Sequence, residues 1–195
     1  MTPKAETTHV LMFHKPLELL CTHQDELGRE TVYDRLLPQL PPSLRRLDWH
    51  AVGRLDANTT GLLLFTNDGA LLHQVTQPKT KLPKTYRVLA KGLLDEPTLQ
   101  RLRDGVDLTG GLGRSAPAHV TLEEHQKATS WVTVRIHEGK NRQVRRMFLA
   151  VDSQVIRLHR THVGSLALDV EPGAWRALTN AEIERTLHFV PRIIR

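Results

Sequence analysis

The amino-acid sequence predicts an α+β protein built on a largely antiparallel sheet. Short strand-like runs alternate with short helix-like runs, and no repeat, low-complexity tract or obvious linker interrupts them. Two of these runs, "APAHVTLEEH" and "SWVTVRIHEG", are close in sequence and have the strand-like composition of a hairpin. With 39% hydrophobic residues among 195, the chain can bury a core as one large domain or two small lobes.

The first half begins with an apolar strand, Val10 to Phe13, that ends before Pro16. A short helix follows Thr31 as its N-cap, and we expect the prolines at positions 38, 41 and 42 to stop it. Asn67 or Asp68 is expected near the start of a second helix. The remaining predicted elements are the strands "LDWHAV", "GLLLFT" and "KTYRVLAKG" and the helix "ALLHQVTQ".

The second half continues in the same style. "DEPTLQRLRDG" has a proline in its first turn and a glycine after its end, which is typical of a capped helix. In the second strand of the hairpin, Trp131, Thr133 and Arg135 share one face, and Val132 and Val134 share the other. The glycine-rich "TGGLGR" is interpreted as a hairpin loop. The last predicted elements are a helix in "KNRQVRRMFLAV", strands in "SQVIRLHRTHVG", "SLALD" and "GAWRAL", and a C-terminal helix.

The charge of the chain favours a polyanionic partner. The net charge is +6 and the pI is near 9.8. Two blocks contain basic residues and no acid, Lys79 to Lys91 and Gly139 to Val151, and they suggest a surface that follows phosphates. The single cysteine, Cys21, allows no internal disulfide and fits a cytosolic location, and no segment predicts export or a membrane span.

Several kinds of chemistry lack support in the sequence. It contains no phosphate-binding glycine loop, no dinucleotide fingerprint and no serine in a nucleophile-elbow pattern. His159 and His162 lie close together but have no acidic or cysteine companion, so we expect no metal site there. Neither a metal nor a cofactor is therefore expected.

The polar stretch around Asp56 has two possible meanings. In "RLDANTTG" the carboxylate can bond a backbone amide and cap a turn, or it can take part in chemistry. In an extended segment Arg54 and Asp56 share one face while Leu55 points the other way, into the core. Such an arrangement fixes a carboxylate beside a cation, but these residues alone leave both meanings open.

The predicted helix around Val144 presents a core stripe and a basic face. At about 100° per residue, Val144, Met147 and Phe148 fall on one stripe, and Arg142 and Arg146 fall nearly opposite it. Arg145 lies on the border of the stripe, where a partly buried arginine favours an anionic partner. Asp56 or some other acid could be that partner.

Four motifs occur in order along the chain: "HKP" at His14 to Pro16, "GRLDANTTGLLLFTNDG" at Gly53 to Gly69, "KTYRV" at Lys84 to Val88 and "EGKNRQVRRM" at Glu138 to Met147. Together they resemble the motifs of the RsuA-type ribosomal RNA pseudouridine synthases. The resemblance covers residues 10 to 178. It implies the pseudouridine synthase fold, with two lobes and a central cleft, and isomerisation of a uridine in ribosomal RNA.

The resemblance also implies a role for each matching residue. Asp56 is then the catalytic aspartate, Tyr86 stacks on the target base, and Arg145 pairs with the aspartate. Val144 helps wall the base pocket, and Arg54 lies at the flipped-out nucleotide. Lys15 and Lys84 support the site and its contacts to the RNA backbone, and Asn141, Arg142 and Arg146 complete the expected RNA-binding set.

One departure from the family bears on domains and substrate. Only 14 residues precede Lys15, too few for the S4-type RNA-binding module that often precedes this motif. The sequence therefore looks like the RluE-like branch that lacks the module. We expect a flexible segment at residues 1–8 and a single catalytic domain at 9–195, with a possible C-terminal helix at 179–195. The expected partner is ribosomal RNA, in particular 23S rRNA or a large-subunit precursor. We expect the protein to be a monomer and to have no membrane partner.

Overall fold

A computed structural model describes residues 5–80 and 82–195. Lys81, which belongs to the predicted basic block, lies outside the described residues, as do residues 1–4 of the predicted flexible segment. The hydroxyl of Thr7 donates to the carbonyl of Ile194, and Thr8 is buried with its hydroxyl donating to Asp68. The chain is thus fixed to the fold from Thr7 onward, earlier than the predicted boundary at residue 9.

The chain divides into two compact units, in agreement with the two predicted lobes. The first unit contains residues 5–80 and 164–195, and the second contains residues 82–163. The strands are β1 (Val10–Lys15), β2 (His50–Val52), β3 (Thr60–Thr66), β4 (Lys84–Lys91), β5 (His119–His125), β6 (Thr129–Ile136), β7 (Val155–Val163), β8 (Leu166–Ala167) and β9 (Trp175–Ala177). The helices are α1 (Val32–Leu36), α2 (Pro42–Arg45), α3 (Gly69–Thr76), α4 (Glu96–Asp104), α5 (Gln143–Leu149) and α6 (Asn180–Leu187).

In the first unit, β1 lies between β3 and β9, and β2 pairs with the other edge of β3. All of these pairings are antiparallel. The apolar runs of β1 and β3 are buried throughout, because Phe13 and Phe65 face a core that also contains Trp49 and Leu36 of α1. These strands are therefore rigid supports for the loops that leave them.

The capping predictions are confirmed in α1 and α3. Thr31 and Asp34 form a capping box at the start of α1, and the Asp68 carboxylate accepts the amides of Ala70 and Leu71 in α3. The prolines were predicted to stop α1, but they do more than that. They allow a 3-10 turn at Leu37–Gln39 and then begin α2, because proline is favoured in the first turn of a helix.

In the second unit, β4 lies between β6 and β7, and β5 pairs with β6. The predicted hairpin is confirmed, with Val132 and Val134 buried and Trp131 and Arg135 on the opposite face. Residues of α4 and α5, including Leu99 and Phe148, pack on the buried face of this sheet.

The C-terminal helix is shorter than the predicted range of 179–195. Thr179 and Glu182 form a capping box at the start of α6, and the helix ends at His188 in a left-handed conformation with φ of 55°. Residues beyond it lie along the N-terminal segment, where the amide of Thr8 donates to the carbonyl of Arg192.

Candidate active site

Asp56 begins a tight turn between β2 and β3. Its carbonyl accepts the amide of Thr59 at 3.0 Å, and β3 starts one residue later. Leu55 is only 5% exposed and belongs to the core of the first unit, whereas Arg54 is exposed and Asp56 is half-buried. The prediction that Leu55 faces the core while Arg54 and Asp56 face away from it is therefore confirmed. The backbone of "DANT" forms a turn.

Lys15 lies buried beneath this turn, with no exposed surface. Its Nζ donates to the carbonyl of Thr59 at 2.8 Å, to that of Ala57 at 3.3 Å and to that of Pro16 at 3.0 Å. One ammonium thus joins the end of β1 to the backbone of the Asp56 turn. These bonds support the turn directly, and the role of Lys15 in RNA contacts that the resemblance implies stays a prediction.

Burial lowers the pKa of the Lys15 ammonium, and the nearby Cys21 and Asp56 act in the opposite direction and raise that pKa. An ammonium removed from water is stabilised by negative charge and by carbonyl dipoles, and the turn that contains Asp56 supplies both. The backbone of Leu55 is also fixed, because its amide donates to the Sγ of Cys21 at 3.3 Å. Cys21 is therefore a packing and hydrogen-bonding residue here.

A second backbone contact holds the same turn. The amide of Glu18 donates to the carbonyl of Ala57 at 2.7 Å. Glu18 adopts a φ of 72°, a left-handed conformation that is unusual for a residue other than glycine. Such strain persists only where the surrounding structure enforces it, and it is often found near functional sites.

Tyr86 occupies the central strand of the second unit. It is half-buried, packs against the core of that unit, and lies opposite Val134 on β6 and Arg160 on β7. The pairing of β4 with β7 shifts register between Thr85 and Tyr86, a kind of irregularity that often redirects side chains near active sites.

Lys84 and Arg160 make the region around Tyr86 basic. Burial lowers the pKa of Lys84, and the positive charge of Arg160 lowers it further. Arg160 is only 5% exposed and was not among the predicted site residues. The sequence of β7 could have indicated this residue. Arg160 lies two positions after Leu158 and therefore faces the core side of the strand, where a charged residue is unexpected.

The helix α5 confirms the predicted core stripe. Val144, Met147 and Phe148 are at most 3% exposed, and Arg145 at the border is half-buried. Gln143, which the sequence did not single out, is buried, where it accepts the amide of Lys140 and donates to Glu138. The segment that leads into α5 is therefore fixed by hydrogen bonds.

The predicted RNA-binding residues at the start of α5 differ in their surroundings. Arg142 is exposed and adopts a left-handed conformation with φ of 48° just before the helix. Arg146 is half-buried, and its guanidinium donates to the carbonyl and the side-chain oxygen of Asn141 at 3.0 and 3.2 Å. Asn141 thus positions Arg146, in addition to any contact of its own with RNA.

The predicted residues group within each unit. Lys15, Arg54 and Asp56 meet at the turn of the first unit, and Lys84 and Tyr86 lie on one strand of the second, which also contains α5. The pairing of Asp56 with Arg145 joins residues of both units and stays a prediction. Within the described residues, no group of three histidine, cysteine or acidic side chains is placed to hold a metal ion. No described helix has the length and apolar character needed to cross a membrane.

The chain matches the family described as RNA pseudouridylate synthase over residues 9–150. The chain belongs to this family. It is 40% identical over 193 residues to the ribosomal large subunit pseudouridine synthase B of Pasteurella multocida (strain Pm70), with 95% of this chain and 53% of that protein covered. It is 38% identical over 177 residues to the ribosomal small subunit pseudouridine synthase A of Vibrio cholerae serotype O1, with 89% of this chain and 71% of that protein covered.

A solved structure agrees with the family assignment. A crystal structure of a pseudouridylate synthase superimposes with a TM-score of 0.80 at 34% identity, covering 94% of this chain and 75% of that chain. The predicted fold and family are therefore confirmed. The chain spans about half the length of the large-subunit relatives, 53% and 51% for two of them. The narrower RluE-like branch stays a prediction.

Proposed function

We propose that this pseudouridine synthase converts a specific uridine of ribosomal RNA, in particular of 23S rRNA, into pseudouridine. Support comes from family membership and from several relatives, 40–41% identical, that are named as large-subunit enzymes. The basic character of the chain suits an RNA substrate. An enzyme with this substrate acts in the cytoplasm, and we propose that it works as a monomer.

The proposed reaction changes bonds without any change of oxidation state. The bond between C1′ and N1 breaks, the uracil rotates, and C5 joins C1′. C5 gives up its proton to solvent, and N1 takes up a proton, so atoms and charge balance. The isomerisation therefore needs neither a redox partner nor an energy source.

Asp56 performs the chemistry on the ribose in this proposal. The observation that carries it is the turn geometry around a half-buried carboxylate. Buried Lys15 and the amide of Glu18 fix the backbone after Asp56, and the bond from the Leu55 amide to Cys21 fixes it before Asp56. A carboxylate held in one position reacts faster, because orientation is arranged before the substrate binds. Asp56 either attacks C1′ or removes the proton from C2′ and so opens a glycal route.

The target uridine must leave its stack before it can reach Asp56. Extruding a nucleotide costs roughly a few kcal/mol. Stacking of the flipped base on Tyr86 offsets about 1–3 kcal/mol of that cost. Arg54 holds the opened RNA, and Arg145 pairs with Asp56. Lys84, Arg142 and Arg146 bind the RNA backbone, and Val144 borders the base.

Asp68 helps to separate isomerisation from hydrolysis. A glycosidase usually needs two carboxylates, one of which protonates the leaving group. Asp68 is 2% exposed, and its oxygens accept from the Thr8 hydroxyl at 2.5 Å and from the amide of Ala70 at 2.9 Å. Because these donors occupy its oxygens at the buried start of α3, Asp68 serves as a helix cap.

Release of tritium from RNA labelled at uracil C5 tests the proposal. Asp56→Asn should abolish release while it leaves RNA binding intact. The control is Asp48→Asn, which alters a carboxylate of the same unit that is 88% exposed and contacts only His50 among the described ion pairs. Retained release by Asp56→Asn would remove Asp56 from the catalytic role.

Three alternatives differ from this proposal in the substrate or in the product. The small-subunit relative makes 16S rRNA the second candidate substrate, and mapping pseudouridine in the rRNA of a strain that lacks the protein distinguishes 16S from 23S. A non-catalytic rRNA-binding domain would bind RNA without any release of tritium. An RNA glycosidase would liberate free uracil, which product analysis detects.

A further inference from the structure

The sheet of the second unit has one buried face and one exposed face. On β6, Val132 and Val134 are buried in the core, so Trp131, Thr133 and Arg135 point to the opposite side. On β4, Val88 and Ala90 are likewise buried, so Arg87 and Lys91 also point to that side. We define the outer face by the side chains of Arg87, Lys91, Trp131, Thr133, Arg135 and Arg157.

This face lies opposite to the proposed catalytic tyrosine. Tyr86 packs with the core side chains and follows the parity of Val88, whereas Arg87 is exposed on the other side. A ligand on the outer face therefore occupies a place other than that of the target base. The alternation of β4 therefore places the basic residues of the block Lys79 to Lys91 on different faces of the sheet, and Arg87 and Lys91 belong to the outer face.

Three arginines form a diagonal row across the outer face. Arg135 is in register with Thr85, Arg87 lies two residues further along β4, and Arg157 of β7 is in register with Leu89. With strands about 4.8 Å apart and a rise of about 3.3 Å per residue, neighbouring arginines in the row are ~8 Å apart. Evenly spaced cations on a rigid sheet suit a polymer with regularly spaced phosphates.

The charge balance of the outer face favours an anionic ligand. Its four cations, Arg87, Lys91, Arg135 and Arg157, face two carboxylates, Glu123 and Glu124, on β5. Glu123 is already engaged, because it accepts from Arg87 at 2.9 Å and from the Thr133 hydroxyl at 2.6 Å. Within the described residues, Arg135 and Arg157 are exposed and form no ion pair that would compete with a phosphate.

Ring systems accompany the row of arginines. The Arg87 guanidinium lies 4.0 Å from the centroid of the Trp131 ring, which fixes both side chains on the surface. His119 is in register with Arg135, and His159 is in register with Arg87. Cations combined with flat rings on a four-stranded sheet are features that bind single-stranded RNA, through phosphates and stacked bases.

We propose that the outer face binds a single-stranded segment of the substrate RNA, at a distance in sequence from the target uridine. This inference rests on the proposed function, because it assumes that RNA is the substrate. Arg135 and Arg157 contact phosphates at the two ends of the diagonal, and Arg87, held between Glu123 and the Trp131 ring, lies between them. The face raises affinity and selects substrates, and it has no part in the chemical step.

Charge reversal at Arg135 and Arg157 of the outer face tests the proposal. Arg135→Glu and Arg157→Glu, singly and together, are compared with wild type in binding of a uridine-only oligonucleotide and of a 23S rRNA transcript. The matched control is Arg185→Glu, which makes the same charge change at an exposed position on α6 of the first unit. All variants alter exposed side chains, so the fold should persist.

We expect the double variant to lose about tenfold in RNA affinity, and the slope of log affinity against log salt to fall by about 1–2, as for the loss of two phosphate contacts. Tritium release at saturating RNA should keep the wild-type kcat while KM for the transcript rises. Unchanged affinity, or an equal loss in Arg185→Glu, would overturn the assignment of this face. An inactive wild type would instead overturn the proposed function, so the two failures are distinguishable.

Discussion

Replacing Lys15 by methionine removes the buried ammonium but keeps the length and apolar stem of the side chain. The three carbonyls that it bonds, at 2.8 to 3.3 Å, then lose their donor in a site with no exposed surface. An unsatisfied buried polar group costs about 1–3 kcal/mol, and relaxation or water recovers part of that for the carbonyl of Ala57, which keeps its bond to Glu18. We expect the free energy of unfolding to fall by about 3 kcal/mol.

The larger effect should be on catalysis, because the same bonds fix the turn that contains Asp56. A displacement of about 1 Å at a reacting group can lower the rate on the order of 100-fold. Single-turnover tritium release, measured well below the melting temperature, should show that loss in the rate constant at saturating RNA. RNA affinity should change little, since Lys15 is buried and cannot reach the ligand.

Leu36→Ala provides the control for stability. Leu36 is fully buried in the core of the same unit, and its truncation costs about 2–5 kcal/mol without removing the hydrogen bonds that Lys15 donates to the turn. Chemical denaturation measures the free energy of unfolding of both variants, so that their activities can be compared at similar stability. If Lys15→Met and Leu36→Ala then release tritium at the same rate, Lys15 has only a general structural role and the positioning argument is wrong.

Three further predictions concern other side chains. Tyr86→Ala should weaken RNA binding by about 1–3 kcal/mol, whereas Tyr86→Phe should keep most of the affinity, as filter binding can show. Arg145→Ala should lower turnover far more than RNA affinity, and an equal loss of both would indicate a phosphate contact. The guanidinium of Arg176 lowers the pKa of Glu182 to about 2. The ionised Glu182 therefore stabilises the fold at pH values above the ordinary pKa of a glutamate, and this stabilisation is lost as the pH falls toward 2. Glu182→Gln should therefore lose less stability than wild type on acidification, by about 1 kcal/mol or less because the pair is partly exposed to water. Melting temperatures measured against pH can show this difference.

The sequence by itself determined the family, the order of the main elements and the residues of the Asp56 turn. These features depend on local rules: apolar runs become buried strands, Thr31 and Asp68 cap the helices that follow them, and Leu55 alternates inward between Arg54 and Asp56. The proline segment differed from prediction because proline can begin a helix as well as end one. The last helix is shorter than predicted because the chain leaves the helical conformation at His188.

Only the tertiary structure decided which residues far apart in sequence act together. Lys15 and Asp56 are 41 positions apart, yet the pairing of β1 with β3 brings the ammonium beneath the turn. Arg160 approaches Tyr86 through strand pairing. The diagonal row of arginines combines three strands, and its members lie in different segments of the chain. Contacts of this kind depend on strand order and register, which long-range packing sets and local sequence patterns do not specify.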